Sequence, residues 1–266
     1  MVVNRIFGSI GRSSFHLFGH IHRITRLATQ TLYWTVVAPF KGQTFSWRST
    51  SEQMVRIGYE SIPIVCLIAF FIGLIISMQS AYQLQQFGAT IFVADLVAVT
   101  ITRELAPLLT AIVVTGRSGS AITAEIGTMQ VSEEIDALIT MGFNPIKFLV
   151  VPRMLAIVVM LPCLTILADF VGILGGYLIA MGTLDVTSLR YLNQTTTALD
   201  FRDLFSGLVK SLFFAIIIGT IGCNEGFQVQ GGAEGVGKST TRSVVTSIFL
   251  IIAADVFFTT LFYSTF

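Results

Sequence analysis

Five long apolar segments dominate the pattern of hydrophobic and polar positions along this chain. They run over about residues 62–86, 92–115, 148–182, 204–223 and 244–266. An apolar segment of about 20 residues is long enough to cross the hydrocarbon core of a bilayer as a helix. The pattern therefore predicts an all-α integral membrane protein with five transmembrane helices. We expect Pro162 to kink the long third segment.

The composition agrees with a membrane protein. Of the 266 residues, 53% are hydrophobic and only 12% are charged, and the mean hydropathy is +0.80. A typical soluble domain has about 25% charged residues. The net charge of +1 gives no reason to expect nucleic acid as a partner. Cys66, Cys163 and Cys223 are widely spaced in apolar surroundings, so we interpret them as small apolar residues rather than as disulfide or metal-binding cysteines.

Lysine and arginine residues are concentrated before the first apolar segment and in the connections after the second and the fourth. Basic residues in short connections mark the cytoplasmic side of a membrane protein. We therefore expect a cytoplasmic N-terminus, with residues 87–91 and 183–203 outside. Five crossings then place the C-terminus outside as well.

Residues 1–58 mix basic, aromatic and aliphatic residues at roughly helical spacing. Such a mixture is typical of a helix that lies in the membrane interface. We therefore divide the chain into an N-terminal cytoplasmic or interfacial helical region, residues 1–58, and a membrane domain, residues 59–266. His16, His20 and His22 have no acidic or cysteine partner nearby in the sequence, so we predict no metal site there.

A match to the phosphate-binding P-loop occurs at Gly232-x-x-x-x-Gly237-Lys238-Ser239. A working P-loop follows a buried strand and opens a soluble helix. Here both neighbours are predicted membrane helices, so we expect this chain not to bind ATP. We also expect no other cofactor and no catalytic residue in it. The glycines instead suit a tight turn between helices, and Ser239 or Thr240 is the expected N-cap of the last helix.

The longest polar stretch inside the membrane domain, residues 115–148, contains a short predicted helix over 132–142. Ser132 is its predicted N-cap, whereas Gly142 and Pro145 are expected to end it. The acidic residues that complement the helix dipole are Glu133, Glu134 and Asp136. The apolar residues that share one face are Ile135, Leu138 and Ile139. Two interpretations stay open: this face binds another protein, or it packs on helix ends of the same chain.

Ionisable side chains inside membrane segments are costly and point to function. Arg103 and Glu104 lie midway along the second apolar segment. Neighbouring residues of a helix point about 100° apart, so we expect the two side chains to meet different partners or to line a wet cavity. Asp169 precedes Gly172 and Gly176, whose spacing suits close helix packing, and we expect it to make an interhelical hydrogen bond.

Three stretches carry a resemblance to a known family: "RELAPLLTAIVVTGRSGSAITAEIGTMQVSEEIDALITMGFNPIKFLVVPRMLA" (103–156), "ADFVGILGG" (168–176) and "GVGKSTTRSVV" (235–245). They closely resemble the MlaE family of ABC-transporter permeases, and the similarity covers nearly the whole chain beyond about residue 50. The resemblance implies a homodimer in the bacterial inner membrane. It also implies three partners: a cytoplasmic ATPase (MlaF) that binds ATP and magnesium, a STAS-domain subunit (MlaB) and a periplasmic hexamer of MCE domains (MlaD).

The function implied by the resemblance is the movement of phospholipids between the inner and outer membranes, which maintains the lipid asymmetry of the outer membrane. The short helix over 132–142 then corresponds to the family's coupling helix, which docks on the ATPase. The coupling residues would be Glu133, Glu134, Ile135, Asp136, Leu138 and Ile139. The lipid-binding residues, in a cavity walled by the first, second and fifth spans, would be Ile76, Gln79, Tyr82, Arg103, Glu104 and Leu105.

The alternative function is an ion-coupled secondary transporter of a hydrophobic substrate. In that case Glu104, Asp169 and Asp255 would form a proton or ion relay inside the membrane. Many such transporters are built from internal repeats. The sequence contains no visible repeat, and five segments do not divide into two equal halves. These observations favour the ABC permease.

Overall fold

The computed structural model describes residues 25–27, 29–31, 33–34, 46–183 and 187–265, and every regular element in these ranges is helical. His16, His20 and His22 lie outside the described residues. Within these described ranges, five helical stretches are long and apolar enough to cross a membrane, which confirms the predicted number. They are Trp47–Gln85, Thr90–Val131, Ile146–Thr183, Phe201–Phe227 and Gly232–Ser264.

We number the α-helices of the described residues from 46 onward in chain order. They are α1 (Trp47–Ile57), α2 (Ile62–Gln85), α3 (Val93–Thr100), α4 (Ala106–Val114), α5 (Ser120–Val131), α6 (Glu134–Thr140), α7 (Val151–Thr183), α8 (Ser188–Ala198), α9 (Phe201–Phe227) and α10 (Gly232–Thr265). Short 3-10 turns occur at Tyr59–Ser61 and Thr90–Phe92. Pro162 lies inside α7, which continues on both sides of it.

Two π-helical turns, Ile101–Leu105 and Thr115–Gly119, join α-helices of the second span, and a third, Ile146–Val150, leads into α7. The first two flank α4, so the second span is built as α3, a π turn, α4, a second π turn and α5. A π turn is wider than an α turn and is frequent at functional sites. Arg103 and Glu104 therefore do not interrupt the helix of the second span but lie in a π-helical turn of it.

Glycines set the contact between α2 and α7. A Cβ atom on Gly73 would lie 1.9 Å from the carbonyl oxygen of Gly172, and one on Gly175 would lie 2.4 Å from the carbonyl oxygen of Phe70. The Ser77 hydroxyl donates to the carbonyl of Gly176 at 3.1 Å. The close packing predicted from the spacing of Gly172 and Gly176 is therefore confirmed.

The helix α9 occupies the centre of the bundle. In its most apolar stretch of 18 residues, 56% of the stretch is buried, whereas the corresponding share in α10 is 11%. It packs on α5, α7 and α10. Where α5, α9 and α10 meet, the Thr123 hydroxyl lies 3.0 Å from the carbonyl oxygen of Gly222 and 2.9 Å from the hydroxyl of Ser243. This contact lies toward the end of the bundle that carries α6, which we call the short-helix end. The opposite end, where α9 begins and α10 ends, is called the cavity end.

The start of the short helix α6 differs from the prediction. Ser132 caps the C-terminus of α5, and its hydroxyl contacts the Thr128 carbonyl and the Glu134 carboxylate, both at 2.9 Å. The residue before α6 is Glu133, in the left-handed conformation with φ 60°. The predicted N-cap is wrong because α5 extends to Val131 and the chain must then reverse within two residues.

The end of α6 follows the prediction. Gly142 adopts φ 82°, a conformation that glycine reaches without a steric cost. Its N–H donates to the carbonyl of Ile139, and the N–H of Phe143 donates to the carbonyl of Leu138, both at 3.0 Å. This pair of hydrogen bonds is a Schellman motif, which closes a helix C-terminus.

The stretch that matches a P-loop forms the first turns of α10. Gly231 and Gly232, with φ 89° and 70°, make the turn, and the helix begins at Gly232. Lys238 is exposed on the helix, and the Thr240 hydroxyl donates to the carbonyl of Val236 at 2.7 Å within it. The predicted N-cap at Ser239 or Thr240 is therefore wrong, because the two glycines complete the turn before these residues. Backbone N–H groups held in a helix are not arranged to cradle phosphates.

Candidate functional site: a charged cavity between membrane helices

The π turn Ile101–Leu105 directs Arg103 and Glu104 to different side chains of α9, and Glu104 also reaches α10. The Arg103 Nε donates to Asp203 Oδ1 at the start of α9. Glu104 contacts Lys210, one third of the way along α9, and Thr259 of α10. The expectation that these neighbours meet different partners is thus confirmed. The sequence analysis connected them with the fifth span, which is α10, but not with α9, which supplies Asp203 and Lys210.

Lys210 is deeply enclosed in this region, with a side chain only 1% exposed. Its Nζ lies 2.5 Å from Glu104 Oε2, 2.7 Å from Thr259 Oγ1 and 3.0 Å from Asp255 Oδ1. An ammonium group has three donors, and three acceptors surround it here. Sequence reasoning missed this residue, although a lone lysine in the apolar run "GLVKSLFF" satisfies the rule that charges at membrane depth mark function.

Asp203 is equally enclosed, with 1% of its side chain exposed. It closes a capping box at the N-terminus of α9, in which its Oδ2 accepts from the backbone N–H of Asp200 at 3.1 Å and the Asp200 side chain accepts in return. Its other oxygen accepts from Arg103. The Asp203 carboxylate therefore both caps the N-terminus of α9 and binds Arg103 of the second span.

These residues line a cavity of about 560 Å³ at the cavity end of the bundle. Its polar lining balances three basic with three acidic side chains, and aromatic residues of α10 complete it. The lining residues are Arg103, Glu104, Asp200, Arg202, Asp203, Ser206, Lys210, Thr259, Phe262 and Tyr263. The arrangement can therefore receive a charged or zwitterionic group among helices whose outer surfaces are apolar.

The other four residues predicted to bind lipid do not line this cavity within one chain. Gln79 and Tyr82 are exposed on α2, and Ile76 is half-buried on the same helix. Leu105 lines a separate, small apolar cavity between α2, α4 and α7, together with residues such as Ala168. The structure thus brings Arg103 and Glu104 together with new partners but leaves the α2 residues on an outer face.

Comparison with known proteins shows the family to which this chain belongs. A sequence profile described as "Permease MlaE" matches residues 50–261, from α1 to near the end of α10. The chain belongs to the MlaE permease family. It is similar to a probable ABC transporter permease protein of Rickettsia prowazekii, with 41% identity over 212 residues, 80% of this chain and 82% of the relative.

Two further relatives extend the range of organisms. A probable ABC transporter permease protein of Synechocystis sp. is 44% identical over 210 residues, 79% of this chain and 80% of the relative. The Arabidopsis thaliana protein TRIGALACTOSYLDIACYLGLYCEROL 1, chloroplastic, is 36% identical over 217 residues, 82% of this chain and 62% of the relative. The MlaE permease described here is therefore a multi-pass membrane protein and a permease subunit of an ABC transporter.

The predicted interhelical hydrogen bond of Asp169 is absent from the described part of this MlaE permease. Asp169 is only 5% exposed, and its Oδ1 has no hydrogen-bond partner among the described residues. Close packing on this side of α7 is made by Gly172 and Gly176. Gly172 faces Ile101, and Gly176 faces Val97 and the hydroxyl groups of Tyr191 and Ser77. The expectation was wrong because the glycines bring the helices together without the carboxylate.

At the short-helix end, α6 divides its apolar residues between two environments. Ile135 is 4% exposed, and both it and Leu138 pack into the main apolar core of the permease. Ile139 is 54% exposed, and the three acidic residues Glu133, Glu134 and Asp136 are exposed too. Packing on the same chain is thus confirmed for two apolar residues. An acidic surface with one isoleucine is left outward, and its binding to another protein stays a prediction.

Ion pairs fasten α1 to the spans near the same end of the MlaE permease. Glu125 of α5 contacts Arg56 of α1 and also Arg153 of α7, the latter at 3.0 Å. Arg117, in the second π turn, lies 2.5 Å from the Glu60 carboxylate. The sequence analysis did not find these pairs, which join α1 to the second and third spans.

Proposed function

We propose that this permease carries phospholipids between the inner and outer membranes of a Gram-negative bacterium and so helps to maintain the lipid asymmetry of the outer membrane. The observation that carries the proposal is the charged cavity at the cavity end, which lies among apolar membrane helices. A phospholipid combines a charged headgroup with acyl chains, and this cavity offers polar contacts to the headgroup beside apolar surfaces for the chains. The Arabidopsis relative, named after a glycerolipid, supports a lipid substrate.

The lipid-binding residues in this proposal keep the set given by the family resemblance. Arg103 and Glu104 contact the headgroup in the cavity. Ile76, Gln79 and Tyr82 lie on α2, and Leu105 follows the charged pair along the π turn. The apolar members of the set contact the acyl chains, which suits the exposed aromatic ring of Tyr82.

The permease works as a homodimer in the inner membrane, with its N-terminus in the cytoplasm. It has no catalytic site: a partner ATPase, MlaF, binds ATP and magnesium, and MlaB and the MlaD hexamer complete the transporter. The coupling contact is the outward surface of α6, with Glu133, Glu134, Asp136 and Ile139, while Ile135 and Leu138 anchor that helix to the permease. Basic residues at the same end, such as Lys147 and Lys238, support a cytoplasmic location for it.

The test is reconstitution of the complete transporter in vesicles that contain fluorescent phosphatidylethanolamine. We expect ATP-dependent removal of the lipid by the wild-type complex and a strong loss for Glu104→Leu. Glu52→Gln is the matched control, since Glu52 is an exposed carboxylate on α1 that pairs with its neighbour Arg48. A wild-type complex that hydrolyses ATP normally but never moves phospholipid would refute the proposal.

An ion-coupled secondary transporter is the second candidate, and the buried Lys210 between Glu104 and Asp255 is the observation in its favour. Membership of an ABC permease family favours the first candidate. The two differ in energy source. Lipid transport driven by an imposed proton gradient in vesicles without ATP would support the second.

A further inference from the structure

Arg103 is held in the cavity by one of its nitrogens. Its Nε donates to Asp203 Oδ1, whereas Nη1 and Nη2 make no hydrogen bond to any described residue. The Arg103 side chain is 52% exposed and lines the cavity. The end of the guanidinium group, with its two parallel donors, is therefore open to a ligand.

The cavity's buried ammonium group offers no such donors. The three acceptors around Lys210 Nζ belong to Glu104, Asp255 and Thr259, and the side chain is 1% exposed. A ligand anion would have to displace one of them to reach this lysine. Arg103 can accept an anion without losing the contact that it already makes.

Asp203 is itself fixed from two sides. Its Oδ2 accepts from the backbone of Asp200 at the start of α9, and its Oδ1 accepts from Arg103. A carboxylate held by a helix start is a rigid anchor for the guanidinium plane. Because the anchor uses only Nε, it sets the direction of the plane and leaves the Nη edge unused.

We propose that Asp203 is a positioning residue, which orients Arg103 so that Nη1 and Nη2 bind the two non-bridging oxygens of a phosphate diester. The planar fork of arginine matches such a pair of oxygens in a bidentate contact, which a lysine does not reproduce. The proposal rests on the proposed lipid transport function and deepens it. It makes the headgroup phosphate, rather than the variable headgroup substituent, the group recognised by Arg103.

Two alternative roles of the Asp203 carboxylate are compatible with the same contacts. Asp203 could compete with the ligand phosphate for Arg103, in which case its removal would strengthen anion binding. It could also serve only the start of α9. The three roles predict different effects of the same substitutions, so a binding experiment separates them.

The experiment uses the complex purified from membranes through a tag on this chain. It is titrated with a fluorescent diacyl phosphatidylglycerol and with the matching diacylglycerol, which lacks the phosphate. We expect Asp203→Ala to weaken phosphatidylglycerol binding about tenfold, the effect typical of losing a charge-assisted hydrogen bond. Asp203→Asn keeps an oxygen acceptor for Nε and should stay within about threefold of wild type.

The decisive comparison is made in the Arg103→Ala background. If Asp203 acts through Arg103, Asp203→Ala adds less than about twofold there, since coupled residues are non-additive. Asp200→Ala is the matched control in both backgrounds, because it also removes half of the capping box and one carboxylate of the cavity lining but leaves the acceptor of Arg103 in place.

Three results would overturn the inference while leaving lipid transport in place. These are tighter binding by Asp203→Ala and Asp203→Asn, an undiminished effect of Asp203→Ala in the Arg103→Ala background, or binding of diacylglycerol as strong as that of phosphatidylglycerol. Full displacement of the lipid by inorganic phosphate at low concentration would assign the contact to free phosphate instead. A wild-type complex that binds neither lipid would remove the proposed function and this inference together.

Discussion

Lys210 Nζ lies 2.5 Å from Glu104 Oε2 and 3.0 Å from Asp255 Oδ1, so that a single buried ammonium group ties α9 to the second and fifth spans. Charges that are removed from water need partners at close range. Here two carboxylates face one cation, and Thr259 contributes a hydroxyl to both Lys210 and Glu104. The site is therefore a structural junction of three spans as well as part of the cavity wall.

Removing the cation from this junction should be more damaging than removing one of its anions. We expect Lys210→Met to lower the free energy of unfolding by about 3–5 kcal/mol, because two carboxylates then face each other without a cation. Glu104→Gln should cost clearly less, since Asp255 still pairs with the lysine. Thermal unfolding of the detergent-purified chain measures both, with the exposed Arg48→Met as control. Equal effects of the two variants would contradict this account.

Close contact between α2 and α7 should not tolerate a methyl group at Gly73. The added Cβ would lie 1.9 Å from the carbonyl oxygen of Gly172, so Gly73→Ala should destabilise the protein by about 1–3 kcal/mol. Gly182→Ala, near the end of α7, is the matched control, because nothing lies within 4 Å of its added Cβ. A thermal midpoint for Gly73→Ala equal to that of the control would show that the helices separate without cost.

The acidic surface of α6 should be required for coupling to the ATPase. Reversing the charge of Glu134 and Asp136 to lysine should reduce ATP-driven lipid transport about tenfold or more, because the docking surface then carries the wrong sign. Ile135 and Leu138 remain in the core, so the permease itself should stay folded. The measurement is lipid transport per ATP hydrolysed, with Glu52→Lys on α1 as control. Wild-type transport by the double variant with the ATPase still bound would refute the role of this surface.

Lys238→Ala should leave ATP hydrolysis by the assembled complex within about twofold of wild type. A lysine that neutralises phosphate charge in a working P-loop contributes far more, and losing a group that stabilises such charge commonly costs about 100-fold. Lys238 instead lies exposed within the regular helix α10. Saturable ATP binding by the isolated chain, lost in Lys238→Ala, would show this reasoning to be mistaken.

Local patterns predicted several parts of this structure correctly. The lengths of the apolar segments gave the five spans, and the spacing of Gly172 and Gly176 gave a close helix contact. Gly142 ended α6 as expected, because the left-handed conformation at a helix C-terminus favours glycine. Each of these features depends on residues within a few turns of one another.

The partners in the cavity could not be predicted in the same way. Arg103 and Asp203 are 100 residues apart in sequence, and Glu104 and Lys210 are 106 apart. Sequence patterns within one helix do not indicate which helices become neighbours in the bundle. The prediction of the start of α6 was wrong for a different reason. Serine is a favourable N-cap residue, but the Ser132 hydroxyl donates to the carbonyl of Thr128 at the end of α5. Competition between two adjacent helices for one capping residue is not visible in either helix alone.

The π turn at Ile101–Leu105 rotates the part of the second span that follows it relative to the part that precedes it. A wide turn carries one residue more than an α turn, and one residue corresponds to about 100° of rotation around a helix. Removing a single residue there would leave an unbroken, equally apolar helix whose two halves face new directions. Either the charged pair would turn away from Asp203 and Lys210, or α4 would turn its buried residues, such as Ala111, out of the core. The directions in which the side chains of the second span face therefore depend on the number of its residues as much as on their type.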